Sequence, residues 1–326
     1  MAQHGIDTAI GLDLGGTAIK AGLVDRHGAV LFTHTVPTEA DGGPDHVIGR
    51  MATLITRLVD EAKAASYRVA GVGIGAPGTL SRKDGMVISP PNLPGWQNVP
   101  VVRLISQATG LPTLLENDAN NAALGEFHRG VGRGCSYMIM MTLGTGIGGG
   151  IIFGGKLWRG AFENAGEIGH TILVPGGRKC GCGQLGCLEA YASARATVAR
   201  ALQHMDEGAT SSLRTILGSG AELTTKHIVE SMTSGDALAT DVWRETCRYL
   251  AIACINLQHL LNPERIVLAG GMSKAGPALL DVVVEEIGRL ASKSLGDPPE
   301  LRLAELSNDA GFIGSALSVF ENGIAG

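Results

Sequence analysis

"TAIGLDLGGTAIKAGLVDRHGAVLFTHTVPT", residues 8 to 38, is the stretch on which the fold turns. An apolar run, a Gly-Gly turn, a second run, an Arg-His-Gly turn and a third run read as three strands of an antiparallel meander. Behind Gly42, Gly43, Pro44 and Asp45, the residues Val47, Met51, Leu54, Ile55, Leu58, Val59 and Ala62 recur at helical spacing and predict a helix over 47–62. "YRVAGVGIGAPG" (67–78) returns to a short buried strand. "GLPTLLENDANNAALGE" (110–126) is a strand ending in acids and amides, residue types that cap the helix they precede. The alternation is α/β. After Gly134 the pattern recurs: "SYMIMMTLGTGIGGGIIFGGKLWRG" (136–160) is strand, glycine turn and strand, which predicts two related halves with a boundary at 115–120. "RIVLAGGMSKAGPALLDVVVEEIGRL" (265–290) adds a strand, a Gly-Gly turn and a helix, and "NDAGFIGSALSVFENG" (308–323) a last helix.

At 326 residues, 44% of them hydrophobic, the chain is long enough for two domains with their own cores. Its 26 Lys and Arg against 31 Asp and Glu leave no basic surplus to hold a phosphate backbone, so nucleic acid is not an expected partner. "MAQHGIDTAIGLDLGG" lacks the basic start and unbroken apolar run of a signal peptide, and export is not expected. The uncharged stretch between Arg133 and Lys156 reaches the length of a bilayer span, but its glycines argue for turns, and no membrane partner is expected. Three cysteines are clustered and Cys135, Cys247 and Cys254 lie scattered among apolar neighbours, which fits a reducing cytoplasm better than a secreted disulfide framework.

Two segments match the dinucleotide fingerprint, "GVGIGA" (71–76) and "GTGIGG" (144–149), but that motif needs a helix opening at its glycines. A loop follows Ala76 and a strand follows Gly149, so a nicotinamide site is disfavoured. "DLGGTAIK" (13–20) and "TLGTGIGG" (142–149) each place glycines and a Thr hydroxyl at a tight turn between strands, where backbone N–H groups can approach a phosphate. With the Gly270-Gly271 turn they favour a nucleotide site over two ordinary hairpins. Asp13, ending the first strand, is a hard oxygen ligand suited to Mg²⁺. In "ENDANN" (116–121) capping accounts for one polar residue, and the whole cluster, at the carboxyl end of a strand, suits a ligand. Asp118 there is placed to accept a proton from a substrate hydroxyl and Asn117 to orient it.

"EIGHTILVPGGRKCGCGQLGCLEAY" (167–191) gathers Cys180, Cys182, Cys187 and His170, a closed tetrahedral zinc set by ligand type and count. A redox pair more often has C-x-x-C beside a helix start, and a disulfide would strand one of the three. Glu167 and Glu189 flank the cluster. If one ring nitrogen of His170 binds zinc, the other needs a partner in the surrounding shell or on a ligand.

Together "GLDLGGTAIKAGLVD", "ENDANNAALGE", "TLGTGIGGGII", "GEIGH", "CGCGQLGCLEAYAS" and "VLAGGMS" resemble the ROK family of sugar kinases and repressors, within the actin-like ATPase superfamily. "PPNLPGW" (90–96) resembles its glucokinase branch. The repressor members carry an N-terminal helix-turn-helix, and with the first strand so early no such domain is expected here. The resemblance implies a two-lobed actin-like ATPase (ribonuclease H-like) fold with a cleft between lobes, residues 1–117 and 118–308, the helix at about 309–326 rejoining the first lobe. It implies Asp118 as general base, with Asn92, Asn117, Glu167, His170 and Glu189 on the sugar hydroxyls. Asp13 would serve Mg²⁺; Gly15, Gly16, Thr17, Lys20, Thr142, Gly144, Thr145 and Gly146 the phosphates of ATP; Gly270 and Gly271 the nucleoside. A structural Zn²⁺ on His170, Cys180, Cys182 and Cys187 would brace the sugar loop, and a homodimer is usual. The expected activity is an ATP-dependent hexose kinase, glucose first, with mannose, fructose, N-acetylmannosamine or N-acetylglucosamine behind it. A sugar-sensing regulator without catalysis is the alternative, disfavoured by the presence of Asp13 and Asp118. The zinc loop is expected to lie far from the turns at 13–17 and 142–149, so that Cys182→Ser would spare the nucleotide site.

Overall fold

The computed structural model describes residues 7–90, 92–292 and 296–323. Packing divides the chain into two compact units: Met1–Gly134, Leu157–Glu163 and Glu305–Gly326 form one, Cys135–Lys156 and Asn164–Ala304 the other.

In the first unit the opening meander is β1 (Asp7–Leu14), β2 (Ala18–Asp25) and β3 (Val30–Pro37). The predicted helix is α1 (Gly43–Ala64), started by Pro44 and burying Val47, Met51, Leu54, Ile55, Leu58 and Ala62 along one face. Then come β4 (Arg68–Ala76), the small hairpin β5 (Thr79–Ser81) and β6 (Met86–Ser89), α2 (Val101–Thr109), β7 (Thr113–Asn117) and α3 (Asp118–Arg129). Both β7 and α3, on either side of the 117/118 position, pack in this unit. The sheet order is β3-β2-β1-β4-β7, antiparallel across the meander and parallel from β1 through β4 to β7.

The second unit repeats the plan with β8 (Met138–Leu143), β9 (Ile147–Phe153) and β10 (Lys156–Leu157). Helices α4 (Glu189–Ala192), α5 (Ala194–Asp206), α6 (Leu213–Gly218), α7 (Thr225–Thr233) and α8 (Ala237–Leu261) follow, then β11 (Arg265–Ala269), α9 (Pro277–Leu290) and β12 (Glu300–Leu303). Its sheet order, β10-β9-β8-β11-β12, again joins an antiparallel hairpin, β8 with β9, to two parallel strands. The two halves expected from the sequence are therefore two five-stranded sheets of matching topology.

The last helix, α10 (Ala310–Glu321), is buried nearly all round, as a helix apolar on every face must be. It lies on the first sheet across Gly22, Gly11 and Gly73, which stand side by side in register. A Cβ at Gly11 would sit 1.7 Å from the Phe312 carbonyl oxygen, and one at Gly73 1.8 Å from that of Ser315. Gly314 meets α3 as closely, 1.7 Å from the Asn121 oxygen by the same measure. Glycines thus let one helix press directly on both β1 and α3, the elements that carry Asp13 and Asp118. Residues 324–326 of the expected last helix lie outside the described residues.

Candidate active site and metal centre

In the first unit, Asp13 sits opposite Lys20 in the β1–β2 pairing. The Gly15 N–H donates to the Ala18 carbonyl at 3.0 Å, and the Thr38 hydroxyl donates to the Gly15 carbonyl at 2.6 Å, tying the turn to the end of β3. Asn92 lies against this turn, its Cβ 2.7 Å from where a side chain at Gly16 would begin. The Lys20 ammonium donates to the Asn308 carbonyl at 3.3 Å and stands 3.8 Å from Asp309, so it is turned toward the start of α10. Desolvation first, and the Asp118 charge second, push Asp13 up to about 7, with Lys20 pulling the other way. The two carboxylates are electrostatic neighbours, at the carboxyl ends of two strands of one sheet.

Asp118 opens α3. Asn117 is the N-cap, its side-chain oxygen accepting the N–H groups of Ala119 and Asn120 at 2.9 and 3.2 Å. Asp118 Oδ1 also accepts the Ala119 N–H, at 2.8 Å, which fixes the carboxylate on the first turn.

In the second unit, Thr142 lies near the end of β8, and Gly144, Thr145 and Gly146 form the turn from β8 to β9, closed by Gly144 N–H to the Gly146 carbonyl at 3.0 Å. Gly270 abuts it: its φ is 86°, and a Cβ there would lie 2.5 Å from the Leu143 oxygen, so only glycine brings the Gly270-Gly271 turn this close. Six residues expected at the nucleotide thus meet at one end of the second sheet.

The ligand atoms of His170, Cys180, Cys182 and Cys187 all lie within 4.8 Å of one another. Cys180 Sγ is 3.6 Å from His170 Nδ1, and the Sγ atoms of Cys182 and Cys187 are 3.7 Å apart, too far for a disulfide. Three thiols and an imidazole converging on one point fit a tetrahedral zinc ion. His170 turns Nδ1 to the cluster and Nε2 outward, with Glu167 Oε2 at 3.9 Å, beyond hydrogen-bond range.

Glu189 corrects one expectation. Its Oε2 accepts the Ile147 N–H at 2.9 Å, and the Ala194 N–H donates to the Gly144 carbonyl at 2.8 Å. The zinc segment is therefore not far from the 142–149 turn but bonded to it. The reason is chain geometry: α4 begins just after Cys187, and its first residue delivers the carboxylate to that turn.

The sequence pattern of the ROK family matches residues 9–321. The chain belongs to the ROK family. Among its relatives, the glucokinase of Halalkalibacterium halodurans is 36% identical over 306 residues, 94% of this chain and 92% of the relative. The glucokinase of Streptomyces coelicolor is 38% identical over 311 residues, 94% and 96% of the two chains. The crystal structure of a ROK family glucokinase from Streptomyces griseus in complex with glucose and AMPPNP superposes with a TM-score of 0.77 at 36% identity, covering 95% of this chain and 98% of that one. The fold of this ROK protein is the two-lobed actin-like α/β fold of those sugar kinases.

Sequence reading took Glu116 only as one of the ENDANN cluster and missed Arg82 and Arg159, which meet it at the strand end leading into Asp118. Glu116 is buried at the end of β7, with the Nε atoms of Arg159 and Arg82 at 2.7 and 3.1 Å from its Oε2. Only an acid inside an otherwise apolar strand hinted at them. Among the described residues no helix is long and apolar enough to cross a membrane.

Proposed function

We propose that this chain is an ATP-dependent glucokinase, transferring the γ-phosphoryl group of ATP to the 6-hydroxyl of glucose with Asp118 as general base. The observation that carries the reading is the carboxylate pair: Asp13 near the end of β1 and Asp118 directly after β7 lie at the carboxyl ends of two strands of one sheet, close enough for the Asp118 charge to act on Asp13. Two acids at strand ends of one sheet, one suited to a cation and one to a proton, are the parts phosphoryl transfer needs. The relatives named glucokinase, and the glucose and AMPPNP of the Streptomyces griseus complex, support the same assignment.

On this reading Asp118, held on the first turn of α3, takes the proton of the 6-hydroxyl as that oxygen bonds to phosphorus and ADP leaves. Asn117 donates its amide to the sugar, and Asn92, Glu167, His170 Nε2 and Glu189 hold other hydroxyls. The N–H groups and hydroxyls of the 15–17 and 142–146 turns, with Lys20, take the phosphates, and Gly270-Gly271 the nucleoside. Asp13 would hold Mg²⁺, which when bound neutralises phosphate charge. His170, Cys180, Cys182 and Cys187 would hold a structural zinc ion whose four protein ligands leave no position for substrate. The six free cysteines support a cytoplasmic setting, and the family resemblance a homodimer, which sedimentation of the purified chain tests.

A coupled ADP-release assay across glucose, mannose, fructose, N-acetylmannosamine and N-acetylglucosamine tests the substrate. Glucose should have the highest kcat/KM. A higher value for another sugar removes glucose from the assignment, and no turnover with any of them favours the sugar-sensing regulator.

A further inference from the structure

Glu116 is 3% exposed, and a side chain so buried and polar needs hydrogen-bond and charge partners. Its two oxygens divide the work. Oε1 accepts the Asn117 N–H and the Asn120 side-chain amide, both at 3.0 Å. These donors stand on either side of Asp118 in the sequence, so one oxygen grips the first turn of α3 around it. Oε2 accepts a hydrogen bond from the Nε of Arg159 at 2.7 Å and forms an ion pair with Arg82, whose Nε stands 3.1 Å away.

The arginines come from far along the chain. Arg82 follows β5 and gives its Nε–H to the Leu115 carbonyl at 3.2 Å, next to Glu116 itself. Arg159 lies in Leu157–Glu163, which packs in the first unit although the chain before and after it packs in the second. Arg82 Nη1 holds the last residue of that segment, Glu163, at 2.6 Å. The segment is thereby fastened at both Arg159 and Glu163 to the strand end that leads into Asp118.

We propose that Arg159 and Arg82, acting through Glu116, are positioning residues for Asp118; this rests on the reading of Asp118 as the general base. Without an arginine the Glu116 carboxylate loses a charged donor, turns, and releases Asn117 and Asn120, so that Asp118 drifts from the sugar hydroxyl. A misplacement of about 1 Å at a reacting group costs on the order of 10²-fold in rate.

The test is steady-state kinetics of Arg159→Met, Arg159→Lys and Arg82→Met, each alone and combined with Asp118→Asn, beside glucose titrations and thermal melts. Arg159→Met and Arg82→Met should lower kcat about 10- to 100-fold while the KM for ATP stays near wild type. Arg159→Lys should recover part of the rate, because an ammonium restores the charge without the guanidinium's fixed fork. In the Asp118→Asn background the same changes should cost nothing further, since they act through the missing base. An unchanged kcat in both Met variants, an equal fold-loss in both backgrounds, or a loss matching the unfolded fraction in the melts would each overturn the proposal. Wild-type turnover by Asp118→Asn alone would instead overturn the base assignment.

Discussion

Glu189 Oε2 accepts the backbone N–H of Ile147 at 2.9 Å, joining the residue after the cysteine cluster to the glycine turn of the second sheet. A Cβ on Gly146 would lie 2.4 Å from the same oxygen, so turn and carboxylate are in full contact. The cysteine–histidine cluster, Glu189 and the turn between β8 and β9 are three parts of one bonded assembly.

That link sets the outcome for Cys182→Ser. Losing a thiolate ligand should release zinc and raise the glucose KM, and through Glu189 the KM for ATP should also rise. About tenfold is expected for ATP, the lower end of what a hydrogen bond to a charged group contributes, ~1.5 kcal/mol. Metal analysis of the wild type with separate glucose and ATP titrations of the variant checks this. An untouched ATP affinity would show the Glu189–Ile147 contact to be idle, and a wild type without zinc would remove the metal centre.

Gly311→Ala probes the seat of Asp13 on α10. The added Cβ would begin 2.8 Å from Asp13 Oδ2, so the carboxylate or the helix must shift. Overpacking of this kind typically costs about 1–3 kcal/mol of stability. Chemical denaturation should show that loss, and Mg²⁺-dependent turnover of the folded variant should fall further than the unfolded fraction accounts for. Full activity per folded molecule would separate Asp13 from the metal role.

Asp236 should make stability depend on pH. It caps α8 by accepting the Ala239 N–H at 2.9 Å, and it accepts the Ser212 N–H and the Ser211 and Ser212 hydroxyls at 2.6, 2.9 and 2.8 Å. Burial, the largest single influence, raises its pKa, but these bonds together outweigh it and hold the group below its ordinary 3.8. The folded-state pKa is the lower one, so the stabilisation is complete above the unfolded pKa and is lost as pH falls through the folded value. Asp236→Ala should therefore cost about 1 kcal/mol at neutral pH, the usual loss for a missing cap. Denaturant titrations should show the gap to wild type closing below pH ~4, the range in which unfolded aspartates protonate. A gap as wide in acid as at neutrality would mean the carboxylate charge contributes nothing.

The parts legible in the sequence were those written locally. The meander of residues 8–38, the stripe from Val47 to Ala62, the Asn117 cap and the convergence of His170, Cys180, Cys182 and Cys187 each depend on residues close in the chain. What could not be read depends on residues that folding alone brings together. Nothing near Arg82 or Arg159 announces Glu116 as their partner. Gly11, Gly22 and Gly73 come side by side only in the sheet, where α10 lies on them. Glu189 is expected on the sugar from the family resemblance alone, and its bond to Ile147 depends on how the 142–149 turn meets α4.

The central claim is that Asp118 is the base of a glucose-phosphorylating enzyme, and the most direct measurement is kcat for Asp118→Asn with glucose and ATP, beside glucose affinity by calorimetry. The substitution keeps size and hydrogen bonding but cannot take the proton. A fall in kcat of about 10² to 10⁴, the usual loss for a missing general base, with glucose still bound, is the result expected. Turnover near the wild-type rate would contradict the account.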